Sequence, residues 1–136
     1  MSTPTETVAE CLTLARRFCV FADAPDPDSV AALFADTGSF RRGDLLVEGA
    51  GAIAAMVRAR PADMITRHLL TTSQIDPLDD TAARGVHYCL VFAAGGKFDP
   101  ATPIVREYRD DYVRTDAGWR IAARTVLTPF EAAHGN

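Results

Sequence analysis

The run Ile104-Val105-Arg106-Glu107-Tyr108-Arg109-Asp110-Asp111-Tyr112-Val113-Arg114-Thr115, followed by Asp116-Ala117-Gly118 and then Trp119-Arg120-Ile121-Ala122-Ala123-Arg124-Thr125-Val126-Leu127, reads as two long strands joined by a tight turn. Aromatic and β-branched residues recur through both arms, and the small polar trio between them supplies turn chemistry. Working back from this hairpin, Ile65 to Asp76 and Thr81 to Ala94 have the same character, divided by Pro77-Leu78-Asp79-Asp80, and Gly95 to Pro103 forms a Gly-rich connection. The second half of the chain is therefore expected to be a four-strand meander.

The first half reads differently. Thr3 can cap a helix, Pro4 suits its first position and Glu6 completes a capping box. Val8, Cys11, Leu12, Ala15, Phe18, Cys19 and Ala22 then recur at helical spacing, until Pro25 removes an amide donor and ends the helix near Asp23-Ala24. Asp26 caps a second, short helix with Val30, Leu33 and Phe34 on its buried face, closing near Asp36-Thr37-Gly38. Ser39 to Arg42 and Leu45 to Glu48 flank Gly43-Asp44 as a small hairpin, and a third helix is expected from about Gly51 to Arg60, with Pro61 beyond it. Helices first and strands second make an α+β domain over residues 1–136, with its core at about 7–127. Only Gly95-Gly96-Lys97 and the stretch Ala132 to Asn136 read as mobile.

Composition excludes several classes. A chain of 136 residues with 48% apolar and 24% charged residues can bury a core unaided. Its apolar runs fall well short of the ~18 residues a membrane span needs. The first residues lack an apolar signal core, so a cytoplasmic location is the default expectation. A net charge of −4, with no Lys/Arg run longer than two, leaves no footprint for nucleic acid. Cys11, Cys19 and Cys89 read as reduced core residues without metal-ligand spacing. No phosphate loop or nucleotide fingerprint is present, and no metal or other cofactor is expected.

The order of elements, together with Asp28-Ser29-Val30-Ala31-Ala32-Leu33-Phe34-Ala35-Asp36, Arg67-His68-Leu69-Leu70-Thr71, Tyr108-Arg109-Asp110 and Val113 through Ile121, resembles the SnoaL-like branch of the nuclear transport factor 2 superfamily. The resemblance covers about Thr7 to Leu127. It implies a strongly bent antiparallel sheet, cone-like and cystatin-like, wrapped around the N-terminal helices with a cavity for a small apolar molecule. It also implies a homodimer through the outer face of the sheet.

The resemblance also singles out site residues. His68 matches a pocket histidine of scytalone dehydratase-like and bile-acid dehydratase-like members. Strand parity places it beside Leu70, Thr72 and Gln74, a mixed face suited to a pocket wall. Asp23 matches the aspartate of the bile-acid dehydratase pattern, whose catalytic tyrosine stands five residues earlier; here that position is Phe18. An imidazole and a carboxylate are sufficient for acid–base dehydration or isomerisation next to a carbonyl, without a cofactor. The expected substrate is a cyclic, hydroxylated polyketide-, aromatic- or steroid-like carbonyl compound. The alternative is a ligand-binding or accessory domain without turnover, which Phe18 favours. Phe18, Leu70, Thr72, Tyr88 and Arg124 are the expected substrate contacts.

Other residues carry weaker readings. His87 and Cys89 share a face, yet no oxyanion-hole string accompanies them as a nucleophilic pair. His134 reads as solvated. A ketosteroid isomerase-like mechanism is disfavoured, because Phe18 and Arg42 occupy its approximate tyrosine and aspartate positions. Arg109 and Asp111 show the spacing of an epoxide-hydrolase-like pair, but the strand from Trp119 to Leu127 contains no acid. With Arg106 and Glu107 they read equally well as a solvated charge ladder. Trp119 and Ile121 are expected in the core, with Arg120 and Arg124 on the opposite face of their strand, where a surface or dimer-contact role suits Arg124.

Overall fold

The computed structural model describes residues 2–130. Three helices and six strands follow in the order α1 (Pro4–Asp23), α2 (Pro27–Ala32), β1 (Phe34–Arg42), β2 (Leu45–Glu48), α3 (Ala50–Arg58), β3 (Ile65–Pro77), β4 (Ala82–Ala94), β5 (Ile104–Thr115) and β6 (Gly118–Leu127). The helix starts follow their capping residues. Thr3 Oγ1 accepts from the Glu6 amide at 3.1 Å, and Asp26 Oδ1 accepts from the Ser29 amide at 3.1 Å. The expected mobility at Ala132 to Asn136 and the reading of His134 lie outside the described residues.

The six strands form one curved, open sheet in the order β2-β1-β6-β5-β4-β3. Every neighbouring pair is antiparallel except β1 and β6, which run parallel. The sheet is thus mixed rather than wholly antiparallel. The first hairpin and the last strand come from opposite ends of the chain, so their direction is not set by a tight turn.

The second helix is shorter than expected, and Phe34 belongs to β1. The Ile121 amide of β6 donates to the Leu33 carbonyl at 2.8 Å, which draws the chain into the sheet immediately after α2. Gly38 lies where the two strands nearly touch: a Cβ there would stand 2.9 Å from the Ala35 carbonyl oxygen and 3.0 Å from that of Ile121.

α1 lies against the concave face and buries Cys11, Leu14, Ala15, Phe18, Cys19 and Ala22. Phe18 stacks on Phe40 at 6.2 Å and meets Phe34 and Tyr108 edge-on, a cluster that joins α1 to both halves of the sheet. The Gly95-Gly96-Lys97 loop is tethered rather than loose. The Gly96 amide donates to Asp63 Oδ2 at 3.2 Å, and Gly95 (φ +98°) lies so close to the Asp63 carbonyl that a Cβ could not be accommodated. Among the described residues no helix is long and apolar enough to cross a membrane.

Two bulges determine which side chains face the helices. In β3, Leu70 opposes Cys89 but Thr72 opposes Tyr88, which leaves Thr71 as an extra residue. In β6, Ile121 opposes Tyr112 but Ala123 opposes Asp111, which leaves Ala122 extra. Each insertion reverses the alternation of every side chain beyond it. The inner face of β3 is consequently Thr66, His68 and Leu70, then Ser73 and Ile75, and that of β6 is Trp119 and Ile121, then Arg124 and Val126.

Candidate functional site

Asp23 is the last residue of α1, held next to β3, one of the two edge strands of the sheet. An edge strand carries amides with no neighbouring strand to accept them. Asp23 takes one: the His68 amide donates to its Oδ2 at 3.0 Å, and the His68 ring nitrogen Nδ1 stands 2.6 Å from its Oδ1. A carboxylate can only accept, so Nδ1 carries the proton and Nε2 keeps its lone pair. Among the described residues nothing bonds Nε2, and both side chains are largely but incompletely buried, at 14% and 15% exposure. Burial pushes the His68 pKa down, aided by Arg60 and Arg106 and opposed by Asp23, so the ring is neutral at neutral pH.

Two residues not singled out in the sequence complete this corner. Thr66 Oγ1 donates to Asp23 Oδ1 at 2.9 Å, and Arg60 Nη2 donates to Thr66 Oγ1 at 3.2 Å. Arg60 Nη1 donates to the Ala22 carbonyl, and its buried Nε has no partner among the described residues. Burial holds the Arg60 pKa below the usual guanidinium value. The signal for Thr66 was its parity with His68, two positions on. Arg60 had none, because it follows α3 and reaches the site only through the fold.

A second polar cluster is fully buried further along the concave face. Arg124 donates from Nε and Nη2 to the two oxygens of Asp110, each at 2.8 Å, and its guanidinium lies against the rings of Phe18 and Tyr108 at 4.3 and 4.2 Å. Tyr112 donates to Asp110 Oδ2 at 2.7 Å; His87 Nε2 lies 2.8 Å from the Tyr112 hydroxyl, and its Nδ1 lies 2.8 Å from Ser73 Oγ. Burial alone would raise the Asp110 carboxyl, but Arg124 and the bonds from His87 and Tyr112 outweigh it and hold it well below the usual range. Arg124 Nη1 is a buried donor with no partner among the described residues.

The bulges correct several expected placements. Arg124 is neither a surface nor a dimer-contact residue, since the extra residue Ala122 turns it inward beside Ile121. Thr72 and Tyr88 oppose one another on the convex face, with Tyr88 47% exposed, and are separated by the sheet from His68. Gln74 likewise leaves the His68 face. Leu70 keeps its inward place, half-buried, and Phe18 is buried against Arg124.

His87 and Cys89 share the inner face without pairing, since both His87 ring nitrogens are engaged elsewhere. Cys89 instead adjoins Cys19, whose bond pushes the Cys19 thiol up and the Cys89 thiol down. Asp110, missed in the sequence, is the inward member of a strand in which Arg109 and Asp111 face outward. The signal was the alternation Tyr108, Asp110, Tyr112.

Among the described residues no three His, Cys, Asp or Glu side chains converge on a metal position. A groove of about 730 Å³ opens elsewhere, between α2, α3 and the β5–β6 turn, and is bordered by Asp28, Arg58, Asp116 and Arg120 but by none of the residues above. Alanine and glycine make up half of its lining, and neither Asp23 nor His68 borders it.

Solved structures of the same fold include a provisionally assigned scytalone dehydratase from Novosphingobium aromaticivorans (19% identity over 90% of this chain and 83% of the other, TM-score 0.80). A nuclear transport factor 2-like protein with a cystatin-like fold from the same organism matches at 23% identity, over 95% and 92%, with a TM-score of 0.74. The hexachlorocyclohexane dehydrochlorinase LinA-type3 of Novosphingobium barchaimii matches at 16% identity, over 90% and 86%, with a TM-score of 0.78. At these identities the likeness is one of fold. No functionally curated protein matches the chain with significance. The SnoaL-like domain, by contrast, matches residues 3–125, nearly the whole chain, and the chain therefore belongs to the SnoaL-like domain family.

Proposed function

We propose that the protein is a lyase or isomerase in which His68, oriented by Asp23, removes a proton from carbon next to a carbonyl. The observation that carries this reading is the 2.6 Å contact from Asp23 Oδ1 to His68 Nδ1, with Nε2 left unbonded among the described residues. In a dehydration, Nε2 takes the C–H proton, the released electron pair forms a C=C bond, and the C–O bond to the hydroxyl breaks. The imidazolium returns its proton to the departing oxygen, so water leaves and the base is regenerated. Asp23 stabilises the imidazolium in between. Such a pair supplies about 10²- to 10⁴-fold, and orientation of the substrate supplies the rest. The names of two fold neighbours, a dehydratase and a dehydrochlorinase, describe eliminations of this type.

The expected substrate is a cyclic, hydroxylated polyketide-, aromatic- or steroid-like carbonyl compound. The convex face, with Leu69 and Tyr88 about half exposed, is suited to a second copy of the chain. The second reading, a binding domain without turnover, is favoured by Phe18, which packs on Arg124 and offers no phenolic proton.

The test is to incubate the protein with cyclic β-hydroxyketones and follow enone absorbance. Turnover that vanishes in His68→Gln, with the melting temperature retained, supports the enzyme reading, because glutamine keeps the size but cannot accept a proton near neutrality. An active His68→Gln variant would end it.

A further inference from the structure

We propose that Thr66, backed by Arg60, is the positioning residue of the Asp23–His68 pair, setting which imidazole nitrogen carries the proton. Asp23 ends a helix just before Ala24-Pro25, so its backbone alone does not aim the carboxylate. Among the described residues three donors do: the His68 amide, His68 Nδ1 and the Thr66 hydroxyl. Two of these belong to the residue being oriented, and only Thr66 is independent of it.

The direction of the chain follows from its cationic end. A guanidinium can only donate, so Arg60 Nη2 occupies a lone pair of Thr66 Oγ1, and the single hydroxyl proton of Thr66 is directed to Asp23. Arg60 also grips the Ala22 carbonyl, one residue before Asp23, so the same group fixes the end of α1 and the hydroxyl that reads it. Thr66 is only 2% exposed, where a free hydroxyl would be unfavourable. The chain runs Arg60 to Thr66 to Asp23 from one side and His68 to Asp23 from the other. Its outcome is an Nδ1–H ring with Nε2 unprotonated, whereas the free histidine side chain favours the Nε2–H form.

This inference rests on reading Asp23 and His68 as an acid–base pair, but its test needs no substrate. The charged groups influencing the ring are Asp23 from α1, Arg60 from the segment after α3 and Arg106 from β5, with the Cys19 and Cys89 thiols near Asp23. Nitrogen-15 NMR of the His68 imidazole, titrated from pH 8 to pH 4, should show almost pure Nδ1–H tautomer in the wild type. Thr66→Val should raise the Nε2–H fraction at least tenfold, and Thr66→Ser, which restores the hydroxyl, should return it. A purely structural role for Thr66 would lower the melting temperature and leave the tautomer unchanged.

If Thr66→Val does not fold, Arg60→Met carries the test. It should mix the tautomers and also raise the His68 titration midpoint, because a nearby cation is removed. A folded Thr66→Val protein with wild-type tautomer and midpoint would overturn the proposal, as would an unchanged Arg60→Met. Tautomer mixing in Thr66→Val together with an enzymatically active His68→Gln would sustain this inference while sinking the catalytic one.

Discussion

Replacing Asp110 by Asn tests whether the buried cluster is held by charge. Arg124 and Asp110 are both fully buried, with two 2.8 Å bonds between them. Removing one partner of a buried pair leaves an uncompensated charge and typically destabilises by about 3–5 kcal/mol. Unfolding entropy near 2.1 cal/mol/K per residue gives roughly 0.29 kcal/mol/K for this chain, so the melting temperature should fall by about 10–17 °C. The assay is paired urea and thermal unfolding of Asp110→Asn and of the double variant Asp110→Leu/Arg124→Met.

The double variant should recover most of the loss, since replacing both charges by apolar groups of similar size is often neutral. Acid supplies a further check. The Asp110 pKa is depressed on folding, so its contribution is complete above the unfolded value of about 3.9 and is lost as pH falls through the lower folded value. Below pH 4 the gap between wild type and Asp110→Asn should therefore narrow. A loss under about 1 kcal/mol in the single variant, or a double variant no more stable than Asp110→Asn, would refute the reasoning.

The remaining predictions concern the dyad and the convex face. Because burial lowers the His68 pKa, the rate should be flat above neutrality and fall in acid with a midpoint below about 6.5. Asp23→Asn should move that midpoint lower still, since Asp23 opposes the shift, and a midpoint that rises would contradict the pairing. Leu69→Lys with Tyr88→Lys should halve the mass measured by light scattering at micromolar concentration without changing the melting profile of the fold. A wild-type protein that is already monomeric would remove the dimer proposal.

The order of helices and strands was legible because capping residues, prolines and apolar periodicity are local signals, and Thr3, Asp26 and Pro25 each act within a few residues of themselves. Phe34 was misplaced because the β6 amide that draws Leu33 into the sheet lies 88 positions away. Asp23 and His68 were read through family resemblance rather than spacing, and the fold brings them into contact. Their support was hidden. Arg60 follows a different element, and Thr66 looked like an ordinary strand residue. The largest errors, at Thr72, Tyr88 and Arg124, share one cause. Neither Thr71 nor Ala122 is a glycine or proline, so nothing local announces the extra residue that reverses the faces beyond it.

The parallel pairing of β1 with β6 also bears on how the chain folds during synthesis. Ser39 pairs with Ala123, so 83 residues must be made and looped back before the first hairpin has a neighbour on its second side. The β3–β4–β5 meander can assemble from nearby contacts, but the β1–β2 hairpin has to wait for the last strand to leave the ribosome. A nascent chain stalled before Gly118 would present the inner edge of β1 unpaired, with Phe34 and Phe40 uncovered on one side. During that interval the protein is most exposed to aggregation, and slowed elongation through β6 would be more harmful than the same delay earlier in the chain.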